Sequence, residues 1–411
     1  MLYAVTVALI IGLISTSLVL YAYLNRVEFM DSRLALEAQR NATSGLRLLL
    51  AKPESVPFGK PTVVDLFNNG LDKVQMHRQQ WGGFEIGIAS AERNRHQHTR
   101  AAMIGSNLHR DSQVALYLAD RNKPLSLCGR TLLKGVCYLP KAGLKRAYIE
   151  GQTFVGTKLV QGTVQEAKRQ LPAINREMVD QNIGYFKGQY QPTDSVLNSG
   201  LLPDTLENSF TEKTLLLEVD GDFPMTSGRY VGNVRVVSNG TVFIGAGAVV
   251  EDAIVYAPNV IIEDGFRGRL QVFATDSVDI GEDVLLEYPS VLGLARRPSK
   301  EYAQLHVRPG ADITGVVFAW QETTGVRNHL KLALDKESII RGQVYTNGMV
   351  DMKGNIYGSL ACNGFLLNTP SSVYENHLLN ATIDFSRLSE HFTGINLVNE
   401  SDTREVVKWL Y

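Results

Sequence analysis

The sequence predicts a mainly β protein. A single N-terminal transmembrane helix continues as a long amphipathic helix, a small α+β piece follows, and a β-solenoid (β-helix) forms the rest. Three observations point there: an uncharged apolar run at residues 2–24, a Pro-free stretch over residues 25–51, and apolar segments that recur at fixed spacing between Gly-containing turns. The 411 residues suffice for two or three domains. A formal net charge of −1 excludes a global basic field, so nucleic acid is not an expected partner.

The run "LYAVTVALIIGLISTSLVLYAYL" (residues 2–24) carries no charge. As a helix it would reach about 35 Å, enough to cross a hydrocarbon core of about 30 Å. A cleaved signal peptide fits less well, because no basic segment precedes the run and no A-x-A site follows it. The lipid bilayer is therefore the expected partner of residues 2–24. Apolar or small residues then recur at Val27, Met30, Leu34, Ala38, Gly45 and Leu49, one helical stripe interrupted by Asn41. Arg33 and Glu37 can pair at i,i+4, and Pro53 ends the helix, so residues 1–51 form one element.

This shape resembles a type IV pilin or pseudopilin stalk, although no basic leader, processing site or early acidic residue accompanies it. The resemblance implies an amphipathic half packed on a globular domain and a body outside the cytoplasm. Against that, Arg26, Arg33 and Arg40 all lie on the carboxyl side of the span, which by the positive-inside rule holds the body in the cytoplasm. The expectation is a single-pass membrane protein with an extracytoplasmic body, the cytoplasmic side being the alternative.

Residues 55–110 read as a small α+β region. "TVVDLFNNGL" suggests a short helix, and two strands with Phe84, Ile86 and Ile88 alternating flank a polar tip. The tip holds Arg93, Arg95, His96, His98 and Arg100, a solvated turn or an anion contact; His96-x-His98 lacks further nearby ligands for a metal. Residues 112–165, short apolar pieces punctuated by Gly, suggest a first solenoid-like block. Residues 166–213 read as a helix and a polar connection, with regular strands resuming at Thr214.

Residues 214–369 carry the clearest repeat. Val242-Phe-Ile-Gly, Val260-Ile-Ile-Glu and Val278-Asp-Ile-Gly begin 18 residues apart, and Gly342…Asn347-Gly348 recurs about 16 residues later as Gly358…Asn363-Gly364. In each frame two apolar residues spaced by one face inward and a turn follows. The Asn-Gly pairs suggest left-handed corners with Asn347 stacked on Asn363. Residues 295–330 depart from the frame and read as an irregular insertion; residues 370–411 read as a C-terminal cap. The "KGNIYGS" phrasing and rung glycines resemble bactofilins, polymer-forming bacterial β-helix proteins. That resemblance implies a scaffold without bound nucleotide that associates end to end.

Candidate chemistry is sparse. Asp264 and Glu282 fall at the same place in successive rungs, as two solvated turn carboxylates or a calcium site. Asp220-Gly-Asp222 is too short for an EF-hand loop. "VFIGAGAVVEDAIVYAPNVII" also resembles the hexapeptide repeats of acyltransferases, which use a His; the nearest here is His306. Cys128 and Cys137 have the spacing to bridge a hairpin in an oxidising compartment, or are ordinary thiols. No nucleophile, P-loop or zinc-protease motif is present. The sequence therefore predicts no catalytic, cofactor-binding or metal residues, no cofactor and no enzymatic activity. It predicts a membrane-anchored structural protein with protein partners or self-association, a minor pilin-like or surface-assembly component. The alternatives are a cytoplasmic bactofilin-like cytoskeletal anchor and a polysaccharide-binding or -cleaving β-helix.

Overall fold

A computed structural model describes residues 1–108, 113–191, 194–198, 204–323, 328–398 and 403–410. The chain divides into two units, one of Met1–Gln79, Ile86–Ala102 and Leu410–Tyr411, the other of Gln80–Glu85 and Met103–Trp409.

In the first unit, helix α1 spans Leu2–Ala51 without interruption and ends before Pro53, as expected. Its first half is exposed throughout, and its second half buries Ala38, Asn41, Ala42, Gly45, Leu46 and Leu49. The partner surface is a sheet in the order β1 (Thr62–Asp65), β2 (Lys73–Trp81), β3 (Phe84–Arg93), β4 (His96–Asn107), in which β1 and β2 run antiparallel. Helix and sheet approach closely at Gly45, where a Cβ would lie 2.5 Å from Val74 Cγ1. Asn41 does not break the stripe: its side chain donates to Asp72 Oδ1 at 2.7 Å, so a polar residue is accommodated at the interface. Val27 and Met30 are exposed instead of packed, because the buried stripe begins only at Ala38.

"TVVDLFNNGL" is not a helix. The β-branched Thr62-Val63-Val64 forms β1, and the Asp65 carboxylate then accepts from Phe67 N and Gly70 N, closing a turn that competes with helix. Phe84 and Ile86 are buried as expected, but Ile88 is only half-buried while Ala89 is buried.

The second unit is a closed barrel of parallel strands. Its core is built from residues in register along successive segments. Val242 pairs with Val260, Val260 with Val278, Val278 with Leu305, Leu305 with Leu332 and Leu332 with Val350. Two positions on, Ile244, Ile262, Ile280, Val307, Leu334 and Met352 make a second column. Every one of these twelve side chains is buried. Removing a side chain of this size from water stabilises by roughly 1.5–3 kcal/mol each before entropy is counted.

The columns continue through Ala303–Val307 to Leu330–Leu334, so among the described residues of 295–330 the expected irregular insertion is replaced by strands in register. Ala303–Val307 and Asp312–Gln321 hold register with the strands before and after them. Only the connections lengthen: Val278 to Leu305 is 27 residues where Val260 to Val278 is 18. A fixed pitch hides because loop length is free while strand register is not.

The glycines of the later repeat explain themselves by close approach. Gly315, Gly342 and Gly358 are paired in one column with φ of +156°, +150° and +152°. A Cβ on each would lie 1.9 Å from the carbonyl oxygen of the residue it stacks on, Ser290, Gly315 and Gly342 respectively. Asn347 and Asn363 behave otherwise than expected: neither has a positive φ, and their amides bond backbone instead of each other. Asn347 exchanges two hydrogen bonds with the Gln321 backbone, at 3.0 and 2.7 Å, and Asn363 donates to Asn347 O at 2.5 Å.

Strands also occur before Thr214. Asp194–Asn198 pairs with Thr214–Val219, and Thr205–Asn208 pairs with Arg229–Gly232, within what the sequence reads as a polar connection. The rest of that connection (192–193, 199–203) lies outside the described residues, as do the boundary residues at 109–112 and the tail residues 399–402. The early block does stack in parallel. Val136–Leu139 lies between Val114–Leu118 and Val164–Glu166, and Val114–Leu118 continues the barrel from Asn355–Asn368. The tail is not a terminal cap: Ile383 pairs with Ile356 on one side and Leu133 on the other, so Thr382–Asp384 is spliced between late and early segments. Its three-residue strand pairs on both sides, with Asn355–Ile356 and with Leu132–Lys134.

If the glycine column is what permits this spacing, Gly342→Ala should destabilise the chain by about 1–3 kcal/mol from backbone strain alone. Glu282→Ala, at an exposed turn, should stay within about 0.5 kcal/mol. Urea unfolding of both variants checks this; equal midpoints would contradict it.

Candidate functional site

In the first unit, the basic tip between β3 and β4 is engaged with the helix and is not a free anion contact. Arg95 Nη2 and His96 Nε2 reach Asp31 Oδ1 at 2.6 and 2.8 Å, and Arg93 Nε reaches Glu37 Oε2 at 3.2 Å. Arg33 donates to the other Glu37 oxygen at 3.1 Å, the expected i,i+4 pair. The His96 hydrogen bond, followed by Arg95, holds the Asp31 carboxyl below its usual range. Arg93 and then Arg33 do the same for Glu37. His98 and Arg100 lie further along β4 and are half-buried.

In the second unit a buried polar cluster sits on one flank of the barrel. Helix α2 (Arg176–Tyr185) is capped by Asn175, whose Oδ1 accepts from Met178 N at 3.2 Å. It carries Tyr185, which stacks on Tyr256 at 4.6 Å; Tyr256 stacks on Phe273 at 5.3 Å. Arg235, 1% exposed, lies against the rings of Trp81 and Tyr185 at 4.8 and 4.7 Å. Its Nη1 donates to Asp194 Oδ1 at 2.7 Å and to the Tyr185 oxygen, and its Nη2 donates to Gln80 O at 2.9 Å. The other Asp194 oxygen accepts from the Tyr185 hydroxyl at 3.0 Å and Gln191 N at 2.8 Å. Burial pushes the Tyr185 phenol well above its usual range, so it stays a donor. Neighbouring side chains tie in the Gln80–Glu85 turn: Asn182 donates to Gly82 O at 3.0 Å and Gln271 to Trp81 O at 3.0 Å.

Beside this cluster opens a groove of about 460 Å³ lined by Tyr185, Phe186, Tyr190, Glu218, Asp220 and Asn239 among others. Acids and aromatics of this kind suit a sugar, but here they bond one another. Tyr190 OH donates to Glu218 at 2.7 Å, and Asn239 donates to Asp220 at 2.6 Å.

The turn carboxylates stitch neighbouring segments. Asp264 Oδ1 accepts from Glu282 N at 2.7 Å and Asp222 Oδ1 from Thr241 N at 2.7 Å. Asp264 and Glu282 thus share a backbone-to-carboxylate bond and do not face each other as a bare acid pair. His306 lies between Asp335, at 2.8 Å, and Asp279, at 3.6 Å, with Arg308 on Asp279 at 2.7 Å. Cys128, Cys137 and Cys362 are unpaired and buried, and burial pushes the Cys137 thiol up to about 12. Among the described residues no three His, Cys, Asp or Glu side chains converge as a metal site.

Sequence reasoning passed over Arg235, although a single charge in "NVRVVS" was its signal. Asp194, in a polar stretch, gave none. No family model matches the chain, and no curated protein or solved structure matches it.

Two outcomes follow. Asp194→Asn should cost about 3–5 kcal/mol, because Arg235 is left as a buried unpaired charge, while Asp194→Leu with Arg235→Met should recover most of that loss. Denaturant unfolding decides; a single variant as stable as the native chain would contradict the pair's importance. For Asp31 and Glu37, depressed folded-state values mean stability present above the ordinary carboxylate pKa of about 4 and lost as pH falls through the folded values. A double-mutant cycle on Asp31→Ala and Arg95→Ala should give favourable coupling at neutral pH that disappears in strong acid. Coupling independent of pH would exclude the ion pair as its source.

Proposed function

We propose that this chain is a non-enzymatic, membrane-anchored scaffold whose parallel barrel is wound as a β-solenoid. The observation that carries the reading is helix α1. Its first half, residues 2–24, exposes an uncharged and predominantly apolar surface, and its second half packs on a folded sheet. Water penalises that first half, and a bilayer removes the penalty. The solenoid reading is supported by in-register columns that persist whether successive partners lie 18 or 27 residues apart. Polar turn groups that bond the adjacent segment support a body needing no ligand for its stability. A minor pilin-like or surface-assembly component fits the stalk, with the body extracytoplasmic.

The test is fractionation and topology together. The full chain should sediment with membranes and resist carbonate extraction, and removal of residues 1–25 should release it. Ile11→Arg should cost roughly 2.5–3.5 kcal/mol of insertion on translocon scales. A truncated chain that still partitions into lipid would sink the single-anchor reading. A reporter fused after Tyr411 that is active only in the cytoplasm would replace the pilin-like reading with the bactofilin-like one.

A further inference from the structure

We infer that the exposed face of the stalk is a docking surface for a partner helix carrying carboxylates at seven-residue spacing. Arg26, Arg33, Arg40 and Arg47 are each seven residues apart in one continuous helix, and all four are exposed. A seven-residue step rotates by only about 20° and rises about 10.5 Å, so the guanidinium groups form one stripe. The residues that pack on the sheet, Ala38, Ala42, Gly45, Leu46 and Leu49, occupy the opposite face. Arg33 reaches Glu37, whereas among the described residues Arg26, Arg40 and Arg47 make no ion pair. Phe29 and Leu36, three residues after Arg26 and Arg33, are 68% and 52% exposed and flank the stripe. Exposed apolar residues flanked by charges at heptad spacing are how one helix selects another.

Chemistry narrows the occupant. Anionic lipid would reach Arg26 beside the apolar span, but Arg47 lies about 32 Å further along the axis, several screening lengths from any headgroup at physiological salt. The exposed face also lacks the broad apolar surface that an interfacial helix needs. A second copy of this helix is a poor complement, because Asp31 and Glu37 are already held by Arg95, His96, Arg93 and Arg33, and Glu28 alone cannot match a series of four arginines seven residues apart. A partner with Asp or Glu every seventh residue matches the stripe along its whole length. The inference uses the membrane reading only to place Arg26 near lipid, so loss of anchoring and loss of docking are separate results.

The experiment places a photo-reactive residue at Leu36 in the full chain within its native membranes and identifies the cross-linked peptide by mass spectrometry. A helical segment of another protein with carboxylates seven apart is expected. Arg40→Glu with Arg47→Glu should lower the adduct by about tenfold, Arg40→Gln with Arg47→Gln should lower it less, and reversal of the partner's carboxylates to Arg should restore it. Circular dichroism and membrane fractionation control for folding and anchoring. An adduct with lipid alone, with a second copy, or with a segment lacking that spacing would overturn the inference. So would no adduct, or one that ignores the charge reversals.

Discussion

Parallel strands share backbone hydrogen bonds along their length only when each segment repeats the pleat of its neighbour in phase. That constraint organises the second unit. A slip of one residue at Val260 would carry Val260 and Ile262 from the interior to the surface and place Ile261 and Glu263 inside. Register is therefore fixed by burial, and the connections are free to vary. The glycines at 315, 342 and 358 add a second phase lock, since only a residue without Cβ fits against the carbonyl of the segment before it.

Against this apolar regularity the Arg235–Asp194 pair is an exception with a clear cost. Desolvating two charges is offset by hydrogen bonds on both carboxylate oxygens and by the aromatic faces of Trp81 and Tyr185. Arg235 lies in the strand Val234–Ser238 and Asp194 in Asp194–Asn198, and their further partners come from the Gln80–Glu85 turn and from α2, segments far apart in sequence.

Much of this was legible beforehand, and the limits have physical causes. Residues 2–51 declare a helix through composition and Pro53, and the Val-x-Ile frames from Val242 declare inward columns. The frame was lost after Ile280 because the coils lengthen, which a fixed-period reading takes for an insertion. The place of Thr382–Asp384 is not legible in the sequence because its pairing with Leu133 joins residues about 250 apart, a separation no local pattern records. The basic tip from Arg93 to Arg100 showed its charge but not its carboxylate partners, Asp31 and Glu37, which lie on the helix. The short helix expected over "TVVDLFNNGL" and the break expected at Asn41 both give way to specific hydrogen bonds, those of Asp65 and of Asn41.

On the reading proposed above, helix α1 anchors the chain in a membrane and the barrel needs no ligand for its stability. Hydrogen exchange of the full chain in lipid nanodiscs, without added ligand or metal, tests this most directly. The account predicts slow exchange of residues 2–24 and protection of the Val249–Ile262, Arg267–Ile280, Ile339–Met352 and Asn355–Asn368 strands as one cooperative block. Fast exchange of residues 2–24 in lipid, or strand protection that appears only when a ligand is supplied, would contradict it.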